Sequence, residues 1–248
     1  KELAVDEEEV SALCSDLATE LEGSNPALES CQNSYEKADE LRVIVETVVI
    51  AGIHRSVWPV VARQWSAQDA QLHRLVKFRQ SWTLGDAGVR PDFHLPFHDA
   101  VARLKDLETL ETPYNMIHCL LGTVDAVETA IARNRGFKRS AEALTGDDMI
   151  PLLVFLIIQA QPQHLLASLD FVARFRMSAA SLLERGEHTF VCFQAAAQHL
   201  VGEAMAQTSL FRHGDAVAPQ QSKQPRPLSA RVLSAFRLGR SRSESSEG

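Results

Sequence analysis

A chain of 248 residues, 45% hydrophobic and 23% charged, falls in the range of a globular protein and can bury a sizeable core, as one large domain or two small ones. Eleven Phe, three Trp and two Tyr make a sparse aromatic set against abundant Ala and Leu, a mix that leans to helix over sheet. A net charge of −7 argues against generic nucleic-acid binding over the body of the chain.

In chain order, Glu2 to Leu21 carries Leu3, Val10, Leu13, Leu17 and Leu21 at helical spacing, and "GSNP" at 23–26 stops it. A second periodic segment runs from Tyr35 to Trp58, with Leu41, Ile44, Val45, Val48, Val49 and Ile53 as its stripe, and Pro59 is expected to end it. Residues 67–82 then read as a separate amphipathic helix with Leu72, Leu75, Val76 and Phe78 facing inward. "GDAGVRPDFHLP" at 85–96 is a loop by its Gly and Pro content. Helices follow at 97–110 and 113–133, the second with Pro113 near its first turn, where a missing N–H costs little. "RNRGFKRS" at 133–140 is a basic connector. Further helices are expected from Asp147 or Asp148, over 163–176, and from Glu187 to Met205. With no alternating strand pattern, the fold class is all-α.

Composition changes after Phe211. Residues 212–242 hold seven Lys and Arg against the single acid Asp215, in a Ser-, Gln- and Pro-rich setting typical of disorder. Within it Leu228, Val232 and Phe236 recur at i, i+4, i+8 among arginines. This piece either folds on an anionic membrane surface or adaptor, or stays an unstructured tail end. The expected organisation is a helical extension over 1–30, a main domain over 31–208 and a basic tail over 209–248. A start at Lys1 rather than Met suggests a segment of a longer protein.

Chemical motifs are few. Cys14, Cys31, Cys119 and Cys192 are scattered without a CxxC pair, as expected of isolated reduced thiols. His94 and His98 have i, i+4 spacing, but Pro96 between them breaks the helix a metal pair would need. Neither a Gly-x-Ser-x-Gly elbow nor a phosphate-cradling loop is present, so no covalent chemistry and no cofactor are expected.

The most pointed feature is "LTGDDMIPLLVFLIIQAQP", residues 144–162. Asp147 and Asp148 precede the most apolar run in the chain. Its length favours a helix with Pro151 in the first turn. One aspartate is explained as a cap, which contributes about 1 kcal/mol; a second is not. A helix apolar on every side is central and buried, so its charged start stands at the rim of the core.

"TGDDMIPLLVFLIIQAQPQHLLASLDFVARF" (145–175) followed by "LLERGEHTFVCFQAAAQHLV" (182–201) resembles the vacuolar-protein-sorting-nine domain. "VETVVIAGIHRSVWP", "QDAQLHRLVKF" and "LETPYNMIHCLLGTVDAV" occur upstream in the order this family shows. The resemblance implies a layered helical exchange module for Rab GTPases of the early-endosomal branch, cytoplasmic and recruited peripherally to endosomal membranes. It implies a groove between the helix starting at Asp147 and that starting near Glu187. Asp147, four residues before Pro151, matches the acidic finger that enters the GTPase phosphate-binding loop. Pro151, Phe190, Phe193 and Ala197 match positions that line the groove. A tyrosine usual in the family is Phe190 here, and the usual small polar residue is Phe193. The two rings either line the groove or pack in the core. The missing hydroxyl leaves two functions open: a working exchange factor, or a Rab-binding module without exchange activity.

Overall fold

A computed structural model describes residues 7–24, 35–135, 145–176 and 184–212. The chain divides into compact units 1–210 and 211–248, and the core and site discussed below belong to the first. Seven α-helices and no strand are present among the described residues: α1 (Glu7–Ser24), α2 (Tyr35–Phe78), α3 (His98–Asp106), α4 (Pro113–Arg135), α5 (Gly146–Ala160), α6 (Leu165–Phe175) and α7 (Glu184–Arg212). Single 3₁₀ turns at Pro91–Phe93 and Leu107–Thr109 flank α3. The all-α reading holds. The basic tail and most of the 133–140 connector lie outside the described residues.

The α1 helix opens on Glu7, Glu8 and Glu9, favourably placed at the positive end of its dipole. Its buried face is Val10, Cys14 and Ala18, with Leu17 half-buried and Leu13 and Leu21 exposed. The face that packs is therefore rotated from the one the leucines suggest, because α1 lies against α2 and α6. Glu7 reaches Arg174 of α6 at 3.5 Å. Residues 7–24 thus pack on the core.

The boundary at Pro59 is corrected. One helix of 44 residues runs from Tyr35 through Pro59 to Phe78. Proline removes the N–H that would bond the Arg55 carbonyl, but both residues are exposed, so water can satisfy that group. Tertiary packing holds the helix on either side: Val57 and Val61 are buried, His54 stacks on Trp58, and both rings meet the edge of Phe171 in α6. These contacts offset a proline cost of about 3 kcal/mol. Phe78 is exposed rather than inward, and the α2 stripe is also corrected: Leu41, Val45 and Ile50 are buried while Ile44 and Val48 face out.

The α5 helix is the centre of the core. Leu152, Leu153, Val154, Leu156, Ile157 and Ile158 are all buried, which accounts for a run with no polar face. It ends at Gln161 in a left-handed conformation, φ 55°, the one non-glycine residue with positive φ among the described residues. The chain then turns 119° into α6. The first turn of α6 receives no cap from its own His164. Instead the buried Asp69 of α2 accepts the N–H groups of Leu166 and Ala167 at 2.8 and 3.2 Å. Glu108 accepts those of Gln163 and His164. Two carboxylates from remote segments therefore satisfy four N–H groups around one helix start.

Candidate functional site

The site is the N-terminal end of α5 and the space beside it. Thr145 is the N-cap, in extended conformation, with Gly146, Asp147 and Asp148 the first three helical residues. One oxygen of Asp148 accepts from the Thr145 N–H at 3.1 Å and from its hydroxyl at 2.6 Å, a capping-box arrangement. The other oxygen lies 3.1 Å from Nε of Arg90, whose guanidinium covers the Phe93 ring at 4.9 Å. Asp148 is buried and fully engaged. Asp147, about 100° further round the helix, is exposed, and among the described residues no cation pairs with it.

Pro151 is half-buried at the sixth helical position. It stands in the second turn rather than the first because the capping box sets the helix start at Gly146. The far half of α5 is anchored too: the Gln159 amide donates to the carbonyls of Gln80 and Trp82 at 3.3 and 3.2 Å. Asp147 thus projects from a helix held along its length.

A cavity of about 240 Å³ opens beside this helix start, between α4, α5 and α7. Val124 and Glu128 of α4, Thr145, Gly146 and Met149 of the α5 end, and Arg185, His188, Thr189 and Cys192 of α7 line it. A cavity therefore lies between the two helices that the resemblance pairs, but other α7 residues face it. Phe190, Phe193 and Ala197 are only 2%, 0% and 1% exposed. They are core residues in this structure and are not on the groove surface. The helix α7 starts at Glu184 rather than Glu187, and its rotation about its own axis presents positions 185, 188, 189 and 192 to the cavity. Arg176 sits over the Phe190 ring at 4.8 Å and pairs with Glu187 at 2.6 Å. Arg185 bridges Asp125 and Glu128 of α4 at 2.6 and 2.8 Å, fixing the α7 start against α4.

The site offers little to a nucleophilic mechanism. Cys192 lies 3.8 Å from His188 Nδ1, but burial pushes its thiol pKa up. Burial also raises Cys14 and pushes Cys119 up to about 11, so the thiolate is disfavoured at all three described cysteines. His94 Nε2 lies 2.8 Å from the Val89 carbonyl, and no group of His, Cys, Asp and Glu among the described residues has a metal-holding arrangement. The available chemistry is an exposed carboxylate on a firmly held helix, beside a cavity of mixed polar and apolar lining.

That geometry coincides with a family match. Residues 97–204 match the Vacuolar sorting protein 9 (VPS9) domain, a span that runs from α3 into α7 and includes Asp147 and the whole cavity lining. The match takes in somewhat less than half of the chain, and it is over this span that the chain is similar to the family. Among curated proteins, Receptor-mediated endocytosis protein 6 of Caenorhabditis briggsae is 31% identical over 107 residues, 42% of this chain and 9% of that protein. The protein of the same name from Caenorhabditis elegans is 30% identical over 107 residues, with the same coverage. The chain thus corresponds to a small part of the length of each. The helices α1 and α2 and the Arg90 loop precede the matched span, yet Asp69 and Arg90 brace that span from outside it. Sequence reasoning missed Arg90, Arg185, His188 and Thr189 as neighbours of the site. The i, i+4 spacing of His188 and Cys192 is a local signal; nothing local links Arg90 to Asp148, 58 positions away.

Proposed function

We propose that this chain is a guanine-nucleotide exchange factor for a Rab GTPase of the early-endosomal branch, acting in endocytosis, with Asp147 as its acidic finger. The observation that carries the reading is the division of labour at the α5 start. Asp148 is consumed by Thr145 and Arg90, while Asp147 is exposed, held rigidly and unpaired among the described residues. A GTPase holds its nucleotide through a phosphate-loop lysine and Mg²⁺. A carboxylate delivered there competes for the lysine and repels the phosphates. It stabilises the nucleotide-free state relative to the bound one, as an exchange catalyst must. Rigid mounting matters because the carboxylate pays no ordering cost when it engages.

We take the acting unit as residues 31–208, since α2 and the Arg90 loop support the matched span. Pro151 and the cavity face of α7 would meet the GTPase switch regions, with Phe190, Phe193 and Ala197 supporting that face from beneath. The basic tail over 209–248 would add attraction to an anionic endosomal surface. The test is release of fluorescent GDP from a panel of endosomal Rabs, with Asp147→Ala alongside. No acceleration by the wild-type chain on any Rab would remove the catalytic claim.

The second reading, a Rab-binding module that does not exchange, is favoured by one observation: Phe190 supplies no hydroxyl and is buried. Capture of a nucleotide-free Rab without faster GDP release would select it.

A further inference from the structure

The outward face of α2 carries a line of exposed residues that the VPS9 site does not use: Glu40, Ile44, Val48, Ala51 and Arg55. Their spacing of three and four places them along one side of the helix. Ile44 is 58% and Val48 67% exposed, although Glu46, Ile50 and Val57 on the opposite side of the same helix are buried. A side chain built at Gly52, beside the line, would meet nothing within 4 Å, so the surface there is open.

We propose that this stripe is a homodimer contact, occupied by the same stripe of a second copy running antiparallel. The order acid, large, large, small, base is self-complementary about a two-fold axis between Thr47 and Val48. Each pair then lies equally far from the axis. Glu40 meets Arg55 of the second copy, Ile44 covers Ala51 of the second copy, and the two Val48 side chains meet near the axis beside Thr47. A two-fold contact uses one patch twice, so each favourable pair occurs twice. The parallel alternative sets Glu40 against Glu40 and Arg55 against Arg55, which like-charge repulsion disfavours. A small residue opposite each Ile44 lets the helices approach closely. Few residues take part, so the buried area falls short of the roughly 1,200 Å² of stable complexes, and association is weak and concentration-dependent. The inference is independent of the exchange reading.

The test is sedimentation equilibrium of the 248-residue chain from about 5 µM to about 500 µM, a range suited to weak dissociation constants. The weight-average mass should rise from 27.4 kDa toward twice that value. Val48→Asp should remain monomeric throughout. Glu40→Arg and Arg55→Glu should each weaken association about tenfold, and the two combined should restore it by exchanging the charges. All three positions are exposed, so melting temperatures should match the wild type, separating the effect from misfolding. A wild-type chain monomeric at the highest concentration overturns the proposal, as does a double variant no better than the singles. Flotation of the wild-type monomer with anionic vesicles, lost in Val48→Asp, would assign the stripe to a bilayer and equally overturn it.

Discussion

Replacing Asp69 with alanine should cost stability without touching the candidate site at the α5 start. The Asp69 carboxylate is buried and accepts two N–H groups from the first turn of α6, Leu166 at 2.8 Å and Ala167 at 3.2 Å. Alanine leaves both donors without an acceptor in a space too enclosed for easy hydration. An unsatisfied buried donor costs about 1–3 kcal/mol. Removal also relieves the desolvation of the carboxylate, which opposes this, so the expected net loss is about 2–4 kcal/mol. Asp69→Asn keeps one acceptor oxygen and should fall between. The pH dependence has a definite sign. Desolvation is the largest influence on Asp69 and raises its pKa above 3.8, outweighing the two N–H bonds that lower it. The folded state therefore holds this proton more tightly than the unfolded one. The contribution is fullest below the unfolded pKa and declines as pH rises through the folded pKa. Urea unfolding of wild type and Asp69→Ala between about pH 4 and pH 7 should show a gap that narrows with rising pH and then levels off at its neutral value. A neutral-pH difference under about 0.5 kcal/mol, the range of ordinary surface substitutions, would refute the remote-cap argument.

Asp147→Ala should leave urea unfolding within about 1 kcal/mol of wild type, the size of a helix-dipole contribution, while slowing GDP release roughly 10- to 100-fold, as loss of one charged hydrogen bond implies. Unchanged release with an active wild type would sink the finger assignment. Arg90→Ala removes the cation facing the buried Asp148 carboxylate and should lower stability by about 1–2 kcal/mol, a buried-pair loss discounted for the exposure of Arg90. Arg90→Lys should recover less than half of that in the same unfolding assay. Phe193→Ala empties a fully buried position and should cost about 3–5 kcal/mol. A near-neutral result would return Phe193 to an open groove. Phe190→Tyr adds a hydroxyl to a packed interior and should lower stability by about 1–3 kcal/mol. A variant with unchanged unfolding and faster GDP release would show that the ring reaches the surface in the active conformation.

What the sequence determined by itself was local or periodic. The all-α class, α4 opening on Pro113 and the central helix after Asp147 were all legible, because 3.6-residue periodicity and turn chemistry act over a few neighbours. The ordered motif over 145–201 carried the family resemblance for the same reason: it is a string of adjacent choices. The tertiary structure alone decided which face of each helix is buried and which remote groups complete each end. Pro59 does not stop α2, since contacts from α6 outweigh a local penalty. Leu13 and Ile44 point outward where periodicity points them inward, because the neighbouring helix, and not hydrophobicity alone, selects the packed face. Phe190 and Phe193 enter the core while His188 and Cys192 face the cavity, because packing against neighbouring helices sets the rotation of α7 about its own axis. The two aspartates at 147 and 148 are adjacent letters with similar intrinsic chemistry. The local capping box with Thr145 makes Asp148 the cap, and only the arrival of Arg90 from a distant loop pairs its second oxygen, while Asp147, on another side of the helix, stays exposed.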